Sequence, residues 1–292
     1  MHSLLLVSCI WAFSFPLIKG NLAGVDPSLV AVLRLGISSI VFLPFTRVRG
    51  VGSKLIAQML ALGGIQFGLM YVAYISAFRY LPAHTIVLLT TTTPLFVVII
   101  DDLFQRRFRV LCLVAAAMAV AAGGVIQYPA GSLQARVGGI ALMQISNAAF
   151  ALGQVWYRRL PIPDTTPPYT VFSWLYLGAT CCASLFLLFS AVSGAGGAGR
   201  GISPTQWATL LFLGSVSSGL CFFLWNSGAR RVGPAALAVM NNLKIPLGVG
   251  ASLVLLGEQT DYVRLGAGSV LFLASVAVAH RSASVPVTTR RA

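Results

Sequence analysis

Acidic residues are scarce in this sequence, and charged residues of either sign are few. The 292 residues include only six aspartates and glutamates, and 57% of the chain is hydrophobic. Charged residues make up 9% of the chain, whereas soluble domains carry about 25%. So few charges could not keep a chain of this length in solution. The composition excludes a soluble globular protein and predicts an integral membrane protein.

The chain also lacks the residue groups on which metal sites, disulfides and membrane-embedded enzymes depend. Its five cysteines lie inside apolar runs without a Cys-x-x-Cys pair. No carboxylate falls at the centre of a predicted span, and no Ser/His/Asp or His-rich set occurs at membrane depth. The glycine-rich stretch at 194–201 lacks the Gly-Lys-Ser/Thr ending of a phosphate-binding loop. We therefore expect no catalytic residues, no metal and no cofactor.

Basic residues give the chain a formal net charge of +14. They lie in short clusters between apolar runs and form no stripe with interleaved aromatics, so we predict no nucleic-acid partner. If the N-terminus is cytoplasmic, thirteen Lys and Arg residues fall on the inner side of the membrane and five on the outer side. By the positive-inside rule, both termini are predicted to be cytoplasmic.

Ten apolar runs are long enough to cross a bilayer, which requires about 20 mostly apolar residues. Their uniform hydrophobicity excludes the alternating strands of a membrane barrel. The predicted fold is therefore an all-α integral membrane protein with short connections. The runs span residues 3–19, 27–45, 56–78, 83–100, 109–126, 138–157, 168–190, 206–227, 235–256 and 265–280.

The sequence contains an internal repeat. A shift of 152 positions aligns an arginine and two prolines of residues 79–97 with the same residue types in residues 231–249. The chain is thus predicted to divide into two five-helix halves, 1–130 and 131–292, the second with a short cytoplasmic tail. Because five is odd, the halves have opposite orientation in the membrane. Inverted repeats are typical of transporters that bind substrate near the midplane, where the halves meet.

Several short motifs accompany this architecture. They are Trp-Ala-Phe-Ser-Phe at 11–15, an arginine early in the second run, a proline within the fourth and ninth runs, and Leu-Leu-Gly-Glu-Gln at 255–259. Together with the ten spans they resemble the EamA family of the drug/metabolite transporter superfamily, over essentially the whole chain. The resemblance implies a small-metabolite transporter of the bacterial inner membrane, often an exporter of amino acids and related compounds.

Lys244 is the residue that most requires an explanation, because it lies in the middle of the ninth run. It is about 15 Å from either end of that run at 1.5 Å per residue, and a bare lysine there costs at least about 2.5–3.5 kcal/mol. One interpretation is a cation that attracts a substrate carboxylate, with Asn241 on the same helix face. The other is a structural pairing with carbonyls freed by Pro246. The sequence leaves both open.

Other polar and aromatic residues could line the same pocket or bond helices to one another. Arg34 lies seven residues into its run, so it could act as a substrate gate or snorkel to the headgroups. The threonines before Pro94 could bond the preceding turn, and His84 is expected to be a solvated cap. The candidate binding residues are Trp11 and Ser14 in the first run, Arg34 in the second, Gln66 and Tyr74 in the third, Thr92 in the fourth, and Asn147 and Gln154, with Gln144 nearby, in the sixth.

We therefore predict a secondary transporter that exports amino acids or related small carboxylates by alternating access between the two halves. Its partners would be the small-molecule substrate and the lipid bilayer, and it would act as a monomer or homodimer in the inner membrane. A carrier of another metabolite or of a lipid-linked substrate stays open. A channel is disfavoured because no filter loop or charged ring is recognisable, and an intramembrane enzyme because no catalytic set is present.

Overall fold

Helices account for all regular secondary structure in the part of the chain that the structure describes. The computed structural model describes residues 2–106, 133–193, 201–229, 247–257 and 261–284, together with residues 114, 117, 118, 121, 122 and 125. In chain order the helices are α1 (His2–Asn21), α2 (Pro27–Phe42), α3 (Ser53–Ala77), α4 (Ala83–Phe104), α5 (Leu133–Tyr157), α6 (Pro168–Val192), α7 (Pro204–Phe212, continued by Leu213–Leu220 and Cys221–Ala229), α8 (Leu247–Leu256) and α9 (Tyr262–Ser284).

Six of these helices, α1 to α4, α6 and α7, are long and apolar enough to cross a bilayer. They coincide with the first four predicted runs and with the seventh and eighth, to within a few residues at each end. Helices α5 and α9, with 25 and 23 residues, correspond to the sixth and tenth runs. Most of the fifth run and residues 235–246 of the ninth lie outside the described residues. The predicted all-α membrane fold is confirmed.

Two of the helices contain a π-helical segment, which the hydrophobic pattern does not predict. The segments are Gly64–Leu69 in α3 and Leu213–Leu220 in α7. Shifting residues 64–69 by the 152 positions of the predicted repeat gives 216–221, which overlaps the segment in α7. Both halves thus carry the same rare irregularity at equivalent positions, as an internal repeat requires. π segments within α-helices often occur at functional sites.

Helix α4 tightens in its middle because of a proline. Pro94 has no N–H, and its ring crowds the carbonyl one turn earlier. The chain forms a 3-10 turn at Thr90–Thr92 just before it. The hydroxyls of Thr90, Thr91 and Thr92 each donate to the carbonyl three residues earlier. The predicted bonding of these threonines to the preceding turn is confirmed.

The ends of α1, α2 and α3 are bonded together at one end of the bundle. Asp26 caps α2 by accepting two backbone N–H bonds from its first turn, and its carboxylate lies 3.2 Å from Arg79 Nη2. Lys19, at the end of α1, donates to the carbonyl of Phe78 (2.6 Å) and to that of Leu81 (3.2 Å). These contacts satisfy backbone groups that helix termini leave unpaired.

Helices α3 and α6 cross with their backbones in contact. A Cβ added at Gly63 would lie 1.9 Å from the carbonyl oxygen of Leu175, and one added at Gly178 would lie 2.0 Å from the carbonyl oxygen of Leu60. The two glycines thus face the partner backbone reciprocally. Small residues allow this close approach between membrane helices, where van der Waals packing drives association.

Candidate functional site

Arg34 is buried inside the bundle, with only 2% of the residue exposed. Its guanidinium donates from Nε to Ser218 Oγ (2.6 Å) and from Nη2 to Ser217 Oγ (3.1 Å). Its Cζ lies 4.4 Å from the centroid of the Tyr71 ring, a cation–π distance. The snorkelling interpretation is therefore wrong: two serines of α7 hold the charged head in the interior instead of at the headgroups.

The two serines connect Arg34 to further helices. Ser217 Oγ lies 2.8 Å from Ser14 Oγ on α1, and Ser218 Oγ lies 2.8 Å from the Tyr71 hydroxyl on α3. The five residues Ser14, Arg34, Tyr71, Ser217 and Ser218 form a continuous polar group, called the Arg34 cluster below. It joins α1, α2, α3 and α7 through side-chain hydrogen bonds.

Backbone carbonyls of the π segment Leu213–Leu220 also serve as acceptors. Trp11 Nε1 donates to the Ser217 carbonyl (2.9 Å), and the Tyr176 hydroxyl donates to the Ser218 carbonyl (2.6 Å). An irregular helical turn at membrane depth is tolerated when neighbouring helices satisfy the freed backbone groups. The π segment therefore fixes the positions of the two serines that hold Arg34.

No carboxylate pairs with Arg34 in the described part of the chain. Its Nη1 atom is buried and has no hydrogen-bond partner. Breaking or omitting the partner of a buried charge is strongly destabilising, and the planar guanidinium fork fits a carboxylate. The Arg34 cluster thus has the electrostatics of an anion site. The ion pairs that the described residues form join Arg79 to Asp26, Arg159 to Asp101 and Arg264 to Asp261.

Aromatic rings surround this polar group. The Trp11 ring lies 5.0 Å from that of Phe222 and 5.2 Å from that of Trp225, measured between centroids. Tyr74 packs edge-on against Tyr71 at 6.2 Å. Such rings offer an apolar wall with polar tips, which suits a ligand that has both an apolar body and polar groups.

A second polar group joins α4 to α5. Asn147 Nδ2 donates to Thr92 Oγ1 (2.7 Å), and Thr92 Oγ1 lies 2.9 Å from Gln144 Oε1 as donor. Thr92, Gln144 and Asn147 are called the Gln144 cluster below. Ser146, beside it on α5, donates to the Met70 carbonyl of α3 (3.1 Å). Thr92 and Asn147 thus bond helices together, and their contact with a substrate stays a prediction.

The remaining predicted residues are distributed as follows. Gln66 is buried against α5, where a Cβ added at Gly153 would lie 2.3 Å from its Cβ and Cγ. Gln154, the next residue on α5, is half-buried. Lys244 and Asn241 lie outside the described residues. His84 is 3% exposed, so its interpretation as a solvated cap is wrong.

The structure brings Trp11, Ser14 and Arg34 together around Ser217, a residue that sequence reasoning missed. Ser218 and Tyr176 were missed as well. Serines within an apolar run are common and carry no functional signal alone. The one available signal was the small-residue stretch Gly-Ser-Val-Ser-Ser-Gly at 214–219, which permits close helix approach.

A membrane-spanning helical bundle with an internal repeat and buried polar groups is the architecture of secondary transporters. The comparison with known families agrees: residues 2–126 and 137–280 match the EamA-like transporter family. The chain belongs to this family, which lies within the drug/metabolite transporter superfamily. It is a multi-pass membrane transporter of a small molecule and not an enzyme.

Curated relatives of this chain are named as biotin transporters. The protein of Salmonella typhimurium is 37% identical over 289 residues, covering 98% of this chain and 94% of the relative. The biotin transporter of Escherichia coli K12 is 35% identical, covering 100% and 96%. The probable biotin transporter of Pseudomonas aeruginosa is 38% identical, covering 94% and 96%. These names give no support to the predicted export of amino acids.

A solved protein crystal structure has the same fold. It matches with a TM-score of 0.61 at 19% sequence identity, covering 97% of this chain and 98% of the other. At that identity the similarity concerns the fold alone.

Proposed function

We propose that this protein transports biotin across the membrane and that Arg34 binds the biotin carboxylate. The observation that carries the proposal is the state of Arg34: a buried cation, two of whose nitrogens are held by serines and whose Nη1 has no acceptor. Within the described residues no carboxylate of the chain neutralises it. A substrate carboxylate would supply both the missing acceptor and the missing charge.

The energetics favour a bound anion over an empty site. A hydrogen bond to a charged group contributes about 1.5–3 kcal/mol. Nη1 offers one such bond directly. Nη2 is held by Ser217 Oγ at 3.1 Å, a longer and weaker bond than the 2.6 Å bond from Nε to Ser218. A carboxylate could therefore bind Nη1 and compete with Ser217 for Nη2, while Ser218 keeps the guanidinium in place.

Biotin fits the chemistry of this region and agrees with the names of the relatives. It has a carboxylate on a flexible chain and a compact ring system with a urea group. The carboxylate suits Arg34, and the apolar rings suit the aromatic wall of Trp11, Phe222 and Trp225. An amino acid would also place an ammonium group beside the Arg34 charge, where it would be repelled.

The rest of the predicted mechanism is part of the same proposal. The two repeats would alternate between outward-open and inward-open arrangements around the Arg34 cluster. The protein would lie in the bacterial inner membrane, with both termini in the cytoplasm. Lys244 would add a second positive charge at membrane depth, on the ninth predicted span.

Counterflow of labelled biotin into proteoliposomes tests the proposal independently of the direction of net transport. Arg34→Met should lower kcat/KM by about 100-fold, because it removes at least one charge-assisted bond and the counter-charge. Arg34→Lys keeps the charge without the fork and should give an intermediate value. Arg79→Met is the matched control, since that arginine is half-exposed in a surface ion pair.

Three results would contradict this assignment. One is wild-type protein that shows no saturable biotin counterflow. Another is Arg34→Met protein, monodisperse and normally reconstituted, that transports biotin like wild type. The third is an equal loss in Arg79→Met, which would show that removal of any arginine impairs the fold.

A further inference from the structure

Gln144 has an unused hydrogen-bond donor inside the bundle. Its Oε1 accepts from Thr92 Oγ1 at 2.9 Å, whereas its Nε2 is buried and has no partner. Gln144 lies near the middle of α5, eleven residues after Leu133 and thirteen before Tyr157. A buried amide donor without an acceptor costs about 1–3 kcal/mol. The neighbouring bonds among Thr92, Asn147 and the α4 backbone hold the side chain in this position.

Arg34 Nη1 and Gln144 Nε2 are therefore a pair of unsatisfied donors, one charged and one neutral. They belong to different repeats, since Arg34 falls within the matched residues 2–126 and Gln144 within 137–280. A ligand complementary to both donors has an anionic group at one end and a neutral carbonyl acceptor at the other. That description restricts the ligand more than either residue does alone.

The two donors lie on either side of one helix turn of α3. Arg34 stacks on the Tyr71 ring, and Ser146, two residues from Gln144, bonds the carbonyl of the adjacent Met70. The separation between the Arg34 and Gln144 clusters is therefore on the order of the thickness of one helix, about 10 Å. A pentanoate chain with a bicyclic ring at its end can span such a distance.

We propose that Gln144 is a specificity-determining residue whose Nε2 donates to a neutral carbonyl of the substrate, the urea carbonyl in the case of biotin. This inference rests on the proposed function and extends it from the carboxylate end of the substrate to the other end. A carboxylic acid without such a carbonyl leaves Gln144 unsatisfied and is disfavoured. A site built to hydrogen-bond a polar group discriminates strongly against analogues that lack it. Biotin would also contact both repeats at once.

Lipoate is a suitable probe because it has the same pentanoate chain and a sulfur-containing ring but no urea. We would measure the Kd of labelled biotin, and the Ki of lipoate competing with it, on purified full-length protein in detergent. The variant is Gln144→Met, which keeps the length of the side chain and removes the donor. The matched control is Gln58→Met, because Gln58 is a half-buried glutamine near the start of α3.

We expect Gln144→Met to raise the Kd of biotin about tenfold, the value of one lost hydrogen bond to a neutral partner. The Ki of lipoate should stay within about twofold of wild type, since a neutral bond that lipoate never makes cannot be lost. The preference for biotin over lipoate would then fall in Gln144→Met and stay unchanged in Gln58→Met.

Two outcomes overturn the assignment of Gln144 while the biotin proposal survives. One is an unchanged biotin Kd in Gln144→Met protein. The other is an equal weakening of biotin and lipoate, which would place the effect at the shared carboxylate chain or in the fold. A wild-type protein that binds no biotin overturns the proposed function and this inference together. Binding of biotin by wild type, measured first, separates the two failures.

Discussion

The crossing of α3 and α6 allows a stability prediction whose sign depends on geometry alone. Replacing Gly178 by alanine adds a single methyl group. Its Cβ would lie 2.0 Å from the carbonyl oxygen of Leu60, 2.6 Å from the carbonyl carbon and 2.7 Å from its Cα. Ordinary contacts of a Cβ begin at 3.4 Å. The two backbones would therefore have to separate by about 1.4 Å, since backbone atoms cannot rotate away as a side chain can.

The expected cost exceeds the benefit of alanine for the helix. Glycine to alanine within a helix gains about 1 kcal/mol of propensity. Forced overpacking costs about 1–3 kcal/mol, and separating two helices also weakens dispersion contacts along the crossing. We expect Gly178→Ala to be destabilised by about 2 kcal/mol relative to wild type, which corresponds to a Tm lower by about 4–8 °C for a chain of this size.

The assay is thermal unfolding of the detergent-solubilised protein at a fixed scan rate, followed by tryptophan fluorescence. Gly138→Ala is the control, because a Cβ at that position on α5 has nothing within 4 Å. It should unfold at or slightly above the wild-type temperature. If Gly178→Ala unfolds together with Gly138→Ala, the backbone contact between α3 and α6 is not present in the protein.

Two further substitutions test the surroundings of the site. Ser218→Ala removes the acceptor of Arg34 Nε, so the KM for biotin should rise about 3- to 10-fold with kcat little changed; Ser215→Ala, whose hydroxyl bonds only its own helix, should transport like wild type. Equal effects of the two serine substitutions would refute a positioning role. Asp26→Ala removes the cap of α2 and the ion pair with Arg79, and should lower the unfolding free energy by about 1–2 kcal/mol. Asp26→Asn keeps the cap and should stay within about 0.5 kcal/mol of wild type; an equal loss in both would assign the stability to the charge.

The helical spans could be predicted from sequence because the bilayer imposes one simple requirement. A crossing helix must be apolar for about 20 residues, and the observed bounds of α1 to α4 follow the predicted runs closely. The repeat was detectable because its prolines and arginine kept their spacing. The π segments were not predictable, since Gly64–Leu69 and Leu213–Leu220 have the same apolar composition as an ordinary helix.

The candidate site was predicted in part, and the errors have a common physical cause. Arg34, Trp11 and Ser14 were identified because polar or aromatic residues in a membrane span are conspicuous. Their partners Ser217 and Ser218 are small, and their role follows only from the meeting of α1, α2 and α7 in three dimensions. Depth along a helix suggested that Arg34 could snorkel. Whether it does is decided by the donors and acceptors on neighbouring helices, which a single span does not reveal.

The π segment of α7 has a consequence for how this protein can vary in sequence. Trp11 and Tyr176 bond the carbonyls of Ser217 and Ser218, and a carbonyl is present whatever side chain its residue carries. The accepting positions can therefore exchange side chains without losing these two bonds, as long as the turn keeps its shape. The donating positions have no such freedom, because only an indole N–H or a phenol hydroxyl of that length reaches the backbone. Mutational tolerance around this turn should thus be uneven, with the large aromatic donors constrained more tightly than the backbone they support.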